Sequence, residues 1–274
     1  MSTVAAALAA TRAKLPASEA RLLLGHVLER PATWLIAHDD AVLDEAELLS
    51  FASLVARRAG GEPVAYLVRC REFFGREFAV SPAVLIPRPE TELLVEIAMA
   101  KVGAGEAANN MQRILDLGTG SGCIAITLAL EMPQAIVTAV DASADALTVT
   151  RKNSERHGAV LRVLQSNWFS AVAGESFELI VANPPYVAAT DPHLGDLRHE
   201  PLAALSAGAD GLEALRCITA AAPAHLAPGG QLWLEHGYDQ AAAVRELLAA
   251  AGLADIEQIR DLAGVLRVSG GRLE

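Results

Sequence analysis

The residues in this sequence best suited to chemistry are Asn183-Pro184-Pro185-Tyr186. An asparagine amide offers one carbonyl acceptor. Pro184 biases Asn183 toward an extended conformation, and neither proline carries an N–H, so nearby carbonyls meet fewer local donors. The Pro184 carbonyl then serves as a second acceptor, and Tyr186 adds a flat aromatic face. Two acceptors beside a ring match an –NH2 group on a planar π system. Such a nitrogen is a poor nucleophile because its lone pair is delocalised. Accepting both of its N–H bonds returns electron density to it and aims it. Adenine, guanine and a glutamine side chain all qualify.

A second constellation lies upstream. Ile114-Leu115-Asp116-Leu117-Gly118-Thr119-Gly120-Ser121-Gly122 reads as a strand running into a tight glycine loop, followed by a helix over 123–130. Glycines permit positive φ and a close ligand approach, and open α/β sheets bind ligands at the carboxyl ends of their strands. Asp141 ends the next strand, 136–140, where a carboxylate accepts both hydroxyls of a ribose. A nicotinamide dinucleotide uses the same two features. Asp116 separates the cases. An acidic residue just before the loop repels a pyrophosphate, whereas it suits a cationic sulfonium ligand bearing an amino group, as in S-adenosylmethionine.

These loops need a scaffold. From residue 113 the sequence alternates strand and helix, with strands expected at 113–117, 136–140, 161–165, 178–182, 231–235, 255–259 and 265–268. Such alternation predicts an α/β fold with an open, mostly parallel sheet covered on both faces. Residues 1–62 read as a small helical bundle: an apolar run 22–28, then a helix 47–58 preceded by Asp44 and stopped by Gly60-Gly61. Residues 63–90 read as a linker in which 64–68 and 72–80 form a β-hairpin about Gly75-Arg76. Thr91 is expected to cap a helix running from Glu92 to about 102, followed by a polar loop over 103–110. The third division is 91–274.

The 274 residues are 52% hydrophobic with formal net charge −11, and mean hydropathy is +0.31. The acidic balance disfavours a protein held on nucleic acid, where phosphate contacts demand a basic face. No uninterrupted apolar run reaches the roughly 18–20 residues of a membrane span. The opening residues lack the pattern of an export signal, so a cytoplasmic protein is expected. Cys70, Cys123 and Cys217 are scattered and are read as buried free thiols, with no metal site. His236 beside Glu235 imitates a catalytic pair, but its place at a strand end assigns it to structure or a pocket wall. Trp34 and Trp233 are read as packing residues and Glu200-Pro201 as structural. Arg88 and Glu92 have three readings: the cofactor region, the substrate, or an ion pair across the linker.

These residues resemble the class I methyltransferases, and among them the release factor glutamine methyltransferases of the HemK/PrmC family. The resemblance includes Ala65-Tyr66, Glu72 to Gly75, Ile86-Pro87-Arg88-Pro89-Glu90-Thr91-Glu92, Asp116 to Gly122, Asp141, Trp168-Phe169, Asn183 to Tyr186, Glu200-Pro201 and Asp210-Gly211-Leu212. It continues through Gly237 to Gln240 and Asp261 to Gly264. The tetrapeptide is shared with DNA adenine and ribosomal RNA methyltransferases; the Ile86 to Glu92 run is far more specific. The resemblance implies a Rossmann-like, seven-stranded, mostly parallel sheet behind a helical N-terminal domain that grips the protein substrate. It implies that Gly118, Thr119, Gly120, Ser121, Gly122, Asp141, Trp168 and Asn183 bind S-adenosyl-L-methionine. Asn183, Pro184, Pro185 and Tyr186 would hold the glutamine of the Gly-Gly-Gln loop of class I peptide chain release factors, with Asn183, Pro184 and Tyr186 catalytic. A monomer is expected. Rival expectations are a ribosomal-protein glutamine methyltransferase, a nucleic-acid adenine or guanine methyltransferase, and a non-catalytic binding protein on the same fold. Arg69-Cys70 departs from the family, which often has Gly and then a polar residue there.

Overall fold

In the computed structural model the described residues are 2–103, 112–195 and 197–274, and the chain divides into two units, Met1–Cys70 and Arg71–Glu274. The polar loop expected over 103–110 lies, from residue 104 on, outside the described residues. The first unit contains β1 (Ser2–Thr3), α1 (Val4–Ala9), α2 (Ala17–Leu28), α3 (Ala32–Ala37), β2 (Val42–Leu43), α4 (Glu45–Ala59) and α5 (Val64–Val68), with β1 and β2 antiparallel. Helix α4 begins at a capping box: Glu47 N donates to Asp44 Oδ1 (2.8 Å) and Asp44 N to Glu47 Oε2 (2.8 Å), which satisfies two amides that a helix start otherwise leaves bare. Leu23, Leu24, Leu35, Phe51, Val55 and Leu67 form the core.

One expectation fails here. Residues 64–68 are helix α5, not a strand of the hairpin, and residues 63–70 fall in the helical unit rather than in a linker. The β-branched composition of Val64 and Val68 is overridden by packing, because a helical turn buries Tyr66 and Leu67 together. Arg69 ends α5 in the left-handed conformation, φ 58°. That conformation costs a side-chain-bearing residue roughly 1–2 kcal/mol, so glycine would be the unstrained residue at this position.

A hairpin of β3 (Cys70–Phe73) and β4 (Arg76–Ala79) around Phe74-Gly75 follows, belonging to the second unit from Arg71 on. After it come α6 (Glu92–Gly103), β5 (Arg113–Leu117), α7 (Cys123–Glu131), β6 (Ile136–Asp141), α8 (Ala144–His157), β7 (Arg162–Gln165) and β8 (Phe177–Ala182). The chain continues through α9 (Glu213–Ala221), β9 (Leu226–Glu235), α10 (Ala241–Ala250), β10 (Leu253–Arg260) and β11 (Leu266–Leu273). Seven strands form one sheet in the order β10-β11-β9-β8-β5-β6-β7. Only β11 runs against the others, being antiparallel to both β9 and β10. The sheet is therefore mixed and mostly parallel.

Alternation along the strands supplies two cores. Ile114, Val137, Ala139, Leu179, Val181 and Trp233 face one side, with Leu94 and Ala98 of α6 and Ile124 and Leu128 of α7. Leu115, Leu117, Val140, Ile180, Leu232 and Leu234 face the other, with Leu215 and Ile218 of α9 and Val244 and Leu248 of α10. Each such side chain contributes roughly 1.5–3 kcal/mol on full burial, so the strand ends are held by cores on both faces. The order reverses direction about β5, with β6 on one side and β8 on the other. Doubly wound sheets open a ligand crevice at such a point.

Candidate active site

Strand register brings the chemical residues together. Leu117 lies opposite Val140 on β6 and Ala182 on β8. The residues that follow, Gly118, Asp141 and Asn183, therefore leave the sheet side by side. A cavity of about 290 Å³ opens there, near the lower end of small-molecule sites. Of the residues expected to bind cofactor, Gly118, Thr119, Gly120, Ser121, Asp141, Trp168 and Asn183 line it. Gly122 is not in the lining. A Cβ there would lie 2.8 Å from Ile126 Cδ1 and 2.9 Å from Thr150 Cγ2, so the glycine seats the loop against the two helices behind it.

The loop is braced from outside. Gly120 N donates to Asp141 Oδ2 (2.9 Å), and Ser143 N to Asp141 Oδ1 (2.9 Å). Each carboxylate oxygen keeps a lone pair. Thr150 Oγ1 donates to Gly120 O (2.8 Å), and Asn153 Nδ2 donates to Ser121 O (2.8 Å) and Ala79 O (3.0 Å). Helix α8 thus ties the glycine loop to strand β4, a function of Thr150 and Asn153 that sequence reading missed. Trp168 adopts φ 49°, a costly conformation for a bulky residue that strain at binding sites often explains. Its Cζ3 stands 3.7 Å from where a Gly118 Cβ would be.

Asp116 lies beneath the loop, fully buried and off the cavity wall. Thr119 Oγ1 donates to its Oδ2 (2.6 Å), while Oδ1 has no partner among the described residues. Burial pushes this carboxyl up to about 7, with the Thr119 hydroxyl opposing the rise. Its folded-state value exceeds its unfolded one, so the protonated form favours folding and that benefit is lost as pH climbs from about 4 to about 7. A rise of this size is worth up to about 4 kcal/mol at pH 8. Asp116→Asn is therefore expected to raise Tm by roughly 5–10 °C at pH 8 and to change it little at pH 4, which thermal unfolding at the two pH values checks. An equal effect at both would overturn the assignment. The cavity, with the Asp141 carboxylate and the Trp168 ring on its wall and the Asp116 carboxyl buried beneath, fits a ligand with a cationic centre, ribose hydroxyls and a flat base. S-adenosylmethionine has all three.

Asn183 sits at the cavity edge with its amide oriented: Nδ2 donates to Thr91 Oγ1 (3.0 Å), and Oδ1 is buried without a partner among the described residues. Pro185 also lines the cavity, whereas Pro184 is buried and Tyr186 lies behind. The Tyr186 hydroxyl donates to Glu235 Oε1 (3.3 Å), and its backbone oxygen accepts from Gln240 Nε2 (2.9 Å). Burial raises the phenol well above its ordinary range, so it stays a neutral donor. Gly211 is required here: it has φ 73°, and a Cβ would come within 2.3 Å of Tyr186 O.

Several expectations are revised by these contacts. Thr91 does not act as a helix cap. It closes a 3-10 turn, Pro89–Thr91, that runs directly into α6, and its hydroxyl turns to Asn183. Arg88 and Glu92 do not pair with each other. Arg88, on the cavity wall, bridges to Glu200 (2.5 Å), which also accepts from Ile86 N (3.0 Å). Glu92 accepts from Phe74 N (2.8 Å) at the hairpin turn. His236 is buried against Gly237 O and Ser269 Oγ, away from the cavity, and burial lowers its proton affinity. Trp233 is buried in the sheet. Of the cysteines only Cys123 is buried, while Cys217 is exposed. No group of His, Cys, Asp or Glu among the described residues is arranged to hold a metal, and no helix among them is long and apolar enough to cross a membrane.

Known proteins share this architecture and most of this sequence. Residues 2–68 match the family model "PrmC N-terminal domain" and residues 91–198 the model "Methyltransferase small domain". A curated release factor glutamine methyltransferase of Bordetella pertussis is 52% identical over 262 residues, covering 94% of this chain and 96% of the relative. One from Burkholderia pseudomallei is 53% identical over 268 residues, covering 94% and 93%. Among solved structures, a methyltransferase from Pyrococcus furiosus superposes with TM-score 0.55 at 20% identity, covering 81% of this chain and 98% of its own, which shows the fold. With half of its residues or more shared along almost its entire length, the chain belongs to the release factor glutamine methyltransferase family, S-adenosylmethionine-dependent enzymes built on a class I methyltransferase sheet.

Proposed function

We propose that this protein methylates the side-chain amide nitrogen of the glutamine in the Gly-Gly-Gln motif of class I peptide chain release factors, giving N5-methylglutamine. The observation that carries the reading is the buried, unpartnered Oδ1 of Asn183 at the rim of a cavity suited to S-adenosylmethionine. A buried acceptor without a donor is rare and costly, and a primary amide supplies the missing N–H. Among the described residues no hydrogen bond uses the Pro184 carbonyl, so a second acceptor is free for the other N–H. Tyr186, anchored through both its hydroxyl and its backbone oxygen, holds this loop in place.

When bound, S-adenosylmethionine supplies an electrophilic methyl group on a sulfonium. The protein's share is alignment. Gly118 to Ser121, Asp141 and Trp168 would hold the cofactor. Asn183 and Pro184 would hold the acceptor amide in one plane with its nitrogen toward the cavity. Orientation of this sort reaches effective molarities of about 10⁵–10⁸ M. No strong base is required at the outset, because the nitrogen gives up its proton as it gains the methyl. All these residues come from one chain, which supports action as a monomer. Three free thiols accord with a cytoplasmic setting.

The test is mass spectrometry after incubation of the enzyme and S-adenosylmethionine with a purified release factor, a ribosomal protein and ribosomal RNA in separate reactions. The expected result is one added methyl on the Gly-Gly-Gln glutamine and none elsewhere. Methylation of the ribosomal protein or the RNA alone overturns the proposal.

A further inference from the structure

A primary amide makes three polar demands: two N–H bonds and one carbonyl oxygen. In the reading above, Asn183 Oδ1 and the Pro184 carbonyl meet the two N–H bonds. The carbonyl oxygen still needs a donor, because a carbonyl taken out of water without a partner bears the full cost of its desolvation. The cavity wall beside Asn183 offers few. The lining contributed by segments 83–88 and 201–204 and by Pro185 carries only Ala, Val, Leu and Pro side chains, apart from Arg88. Arg88 is also the only cationic side chain among the described residues of the lining.

Arg88 is suited to the task by its place and by its partner. Its backbone oxygen accepts from Thr91 N (3.1 Å), and the Thr91 hydroxyl accepts from Asn183 Nδ2 (3.0 Å). One turn of chain thus carries the guanidinium and the residue that binds Asn183. Arg88 Nη2 donates to Glu200 Oε1 (2.5 Å), and Ile86 N donates to Glu200 Oε2 (3.0 Å). Glu200 is buried and both of its oxygens are engaged, so a fixed carboxylate holds the flat guanidinium by one edge. Among the described residues no hydrogen bond uses Arg88 Nε or Nη1. Two ligand groups compete for those donors, the carboxylate of the cofactor and the carbonyl of the acceptor. Charge separates them. Glu200 already neutralises Arg88, so the pair presents N–H donors with little net charge. That suits a neutral carbonyl and gives an anion little.

We propose that Arg88, oriented by Glu200, donates to the side-chain carbonyl oxygen of the glutamine whose nitrogen is methylated, and so binds the third polar group of the acceptor amide. The proposal rests on the amide-acceptor reading above. It makes the site complementary to a whole primary amide, with two acceptors for its N–H bonds and one donor for its oxygen. A glutamate in the same place would set its second oxygen against Asn183 Oδ1 and the Pro184 carbonyl, acceptor against acceptor, and be refused.

The experiment is a double-mutant cycle on full-length enzyme in the presence of S-adenosylhomocysteine. Dissociation constants are measured for release factor with its Gly-Gly-Gln glutamine intact and with that glutamine replaced by alanine. Wild type is compared with Arg88→Met and with Arg88→Met/Glu200→Gln. The double variant is included because methionine alone leaves the Glu200 carboxylate buried without a counter-charge; if Arg88→Met fails to fold, the double variant completes the cycle. Both variants are expected to bind intact release factor about 30-fold more weakly than wild type, the size expected for loss of a charged donor. Toward the alanine form, and toward the cofactor, they are expected within about twofold of wild type. Equal losses toward both forms of release factor, or wild-type affinity for the intact form in the double variant, would overturn the proposal. So would a matching loss of cofactor affinity, which gives Arg88 to the cofactor's carboxylate. If wild type methylates the ribosomal protein and not the release factor, the acceptor assignment fails, and the same cycle run on that protein's glutamine still decides the role of Arg88.

Discussion

Asn183→Ala is expected to lower kcat for methylation of release factor about 10³-fold, while the cofactor's dissociation constant stays within about fivefold. The asymmetry follows from where the amide spends its bonds. Its nitrogen goes to Thr91 and its oxygen to nothing in the protein, so truncation removes a bond that exists only once the acceptor is in place. Losing one preorganised polar group from a dry site typically costs 10²–10³ in kcat, and here the group also sets the angle of approach. In the proposed function the cofactor would be held by the glycine loop, Asp141 and Trp168, which stand on β5, β6 and the segment after β7 and make no hydrogen bond to the Asn183 side chain among the described residues. Single-turnover kinetics together with calorimetric titration of S-adenosylmethionine separate the two effects. A variant retaining a tenth of wild-type kcat would sink the proposed role.

Much of this site is legible in the sequence because its parts are local. A β-strand of alternate apolar residues followed by Gly-x-Gly-x-Gly describes its own turn and its own end. Asn183-Pro184-Pro185-Tyr186 likewise closes the apolar strand 177–182. Knowing that parallel strands align their carboxyl ends is enough to bring both loops together. What escapes is what depends on register between distant strands. Thr91 looks like a helix cap because its neighbours in sequence begin a helix, yet its partner is Asn183, 92 residues on. Glu200 looks unremarkable until Arg88 and Ile86, more than a hundred residues earlier, reach its carboxylate. Glu235 stands beside a histidine and invites pairing with it. The strand's alternation sends the two side chains to opposite faces, Glu235 toward Tyr186 and His236 toward Ser269. Helix α5 fails for the reverse reason: five residues carry too weak a local preference to resist the packing of Tyr66 and Leu67.

Asp141→Ala is expected to weaken cofactor binding at least 100-fold and to leave kcat at saturating cofactor within a few-fold. Both oxygens of the carboxylate already accept one backbone N–H, from Gly120 and from Ser143. Those bonds hold the glycine loop against β6 and turn the two remaining lone pairs toward the cavity, where a ribose would offer two hydroxyls. Hydrogen bonds to a charged group contribute roughly 1.5–3 kcal/mol each, and two of them account for a change of 10² or more. Alanine loses the ligand's bonds and the loop's anchor together, whereas Asp141→Asn separates them. Its amide oxygen still accepts from one backbone N–H, but its –NH2 faces the other as donor against donor. The asparagine variant should therefore bind nearly as poorly as alanine, although it is almost the same size, because the defect is in acceptor count and not in volume. The acceptor side should be insensitive to both changes, since Asn183 and Thr91 are anchored on other elements. Calorimetry on the three proteins reads this directly. An asparagine variant within about fivefold of wild type would mean that shape at position 141, and not its charge and lone pairs, holds the cofactor.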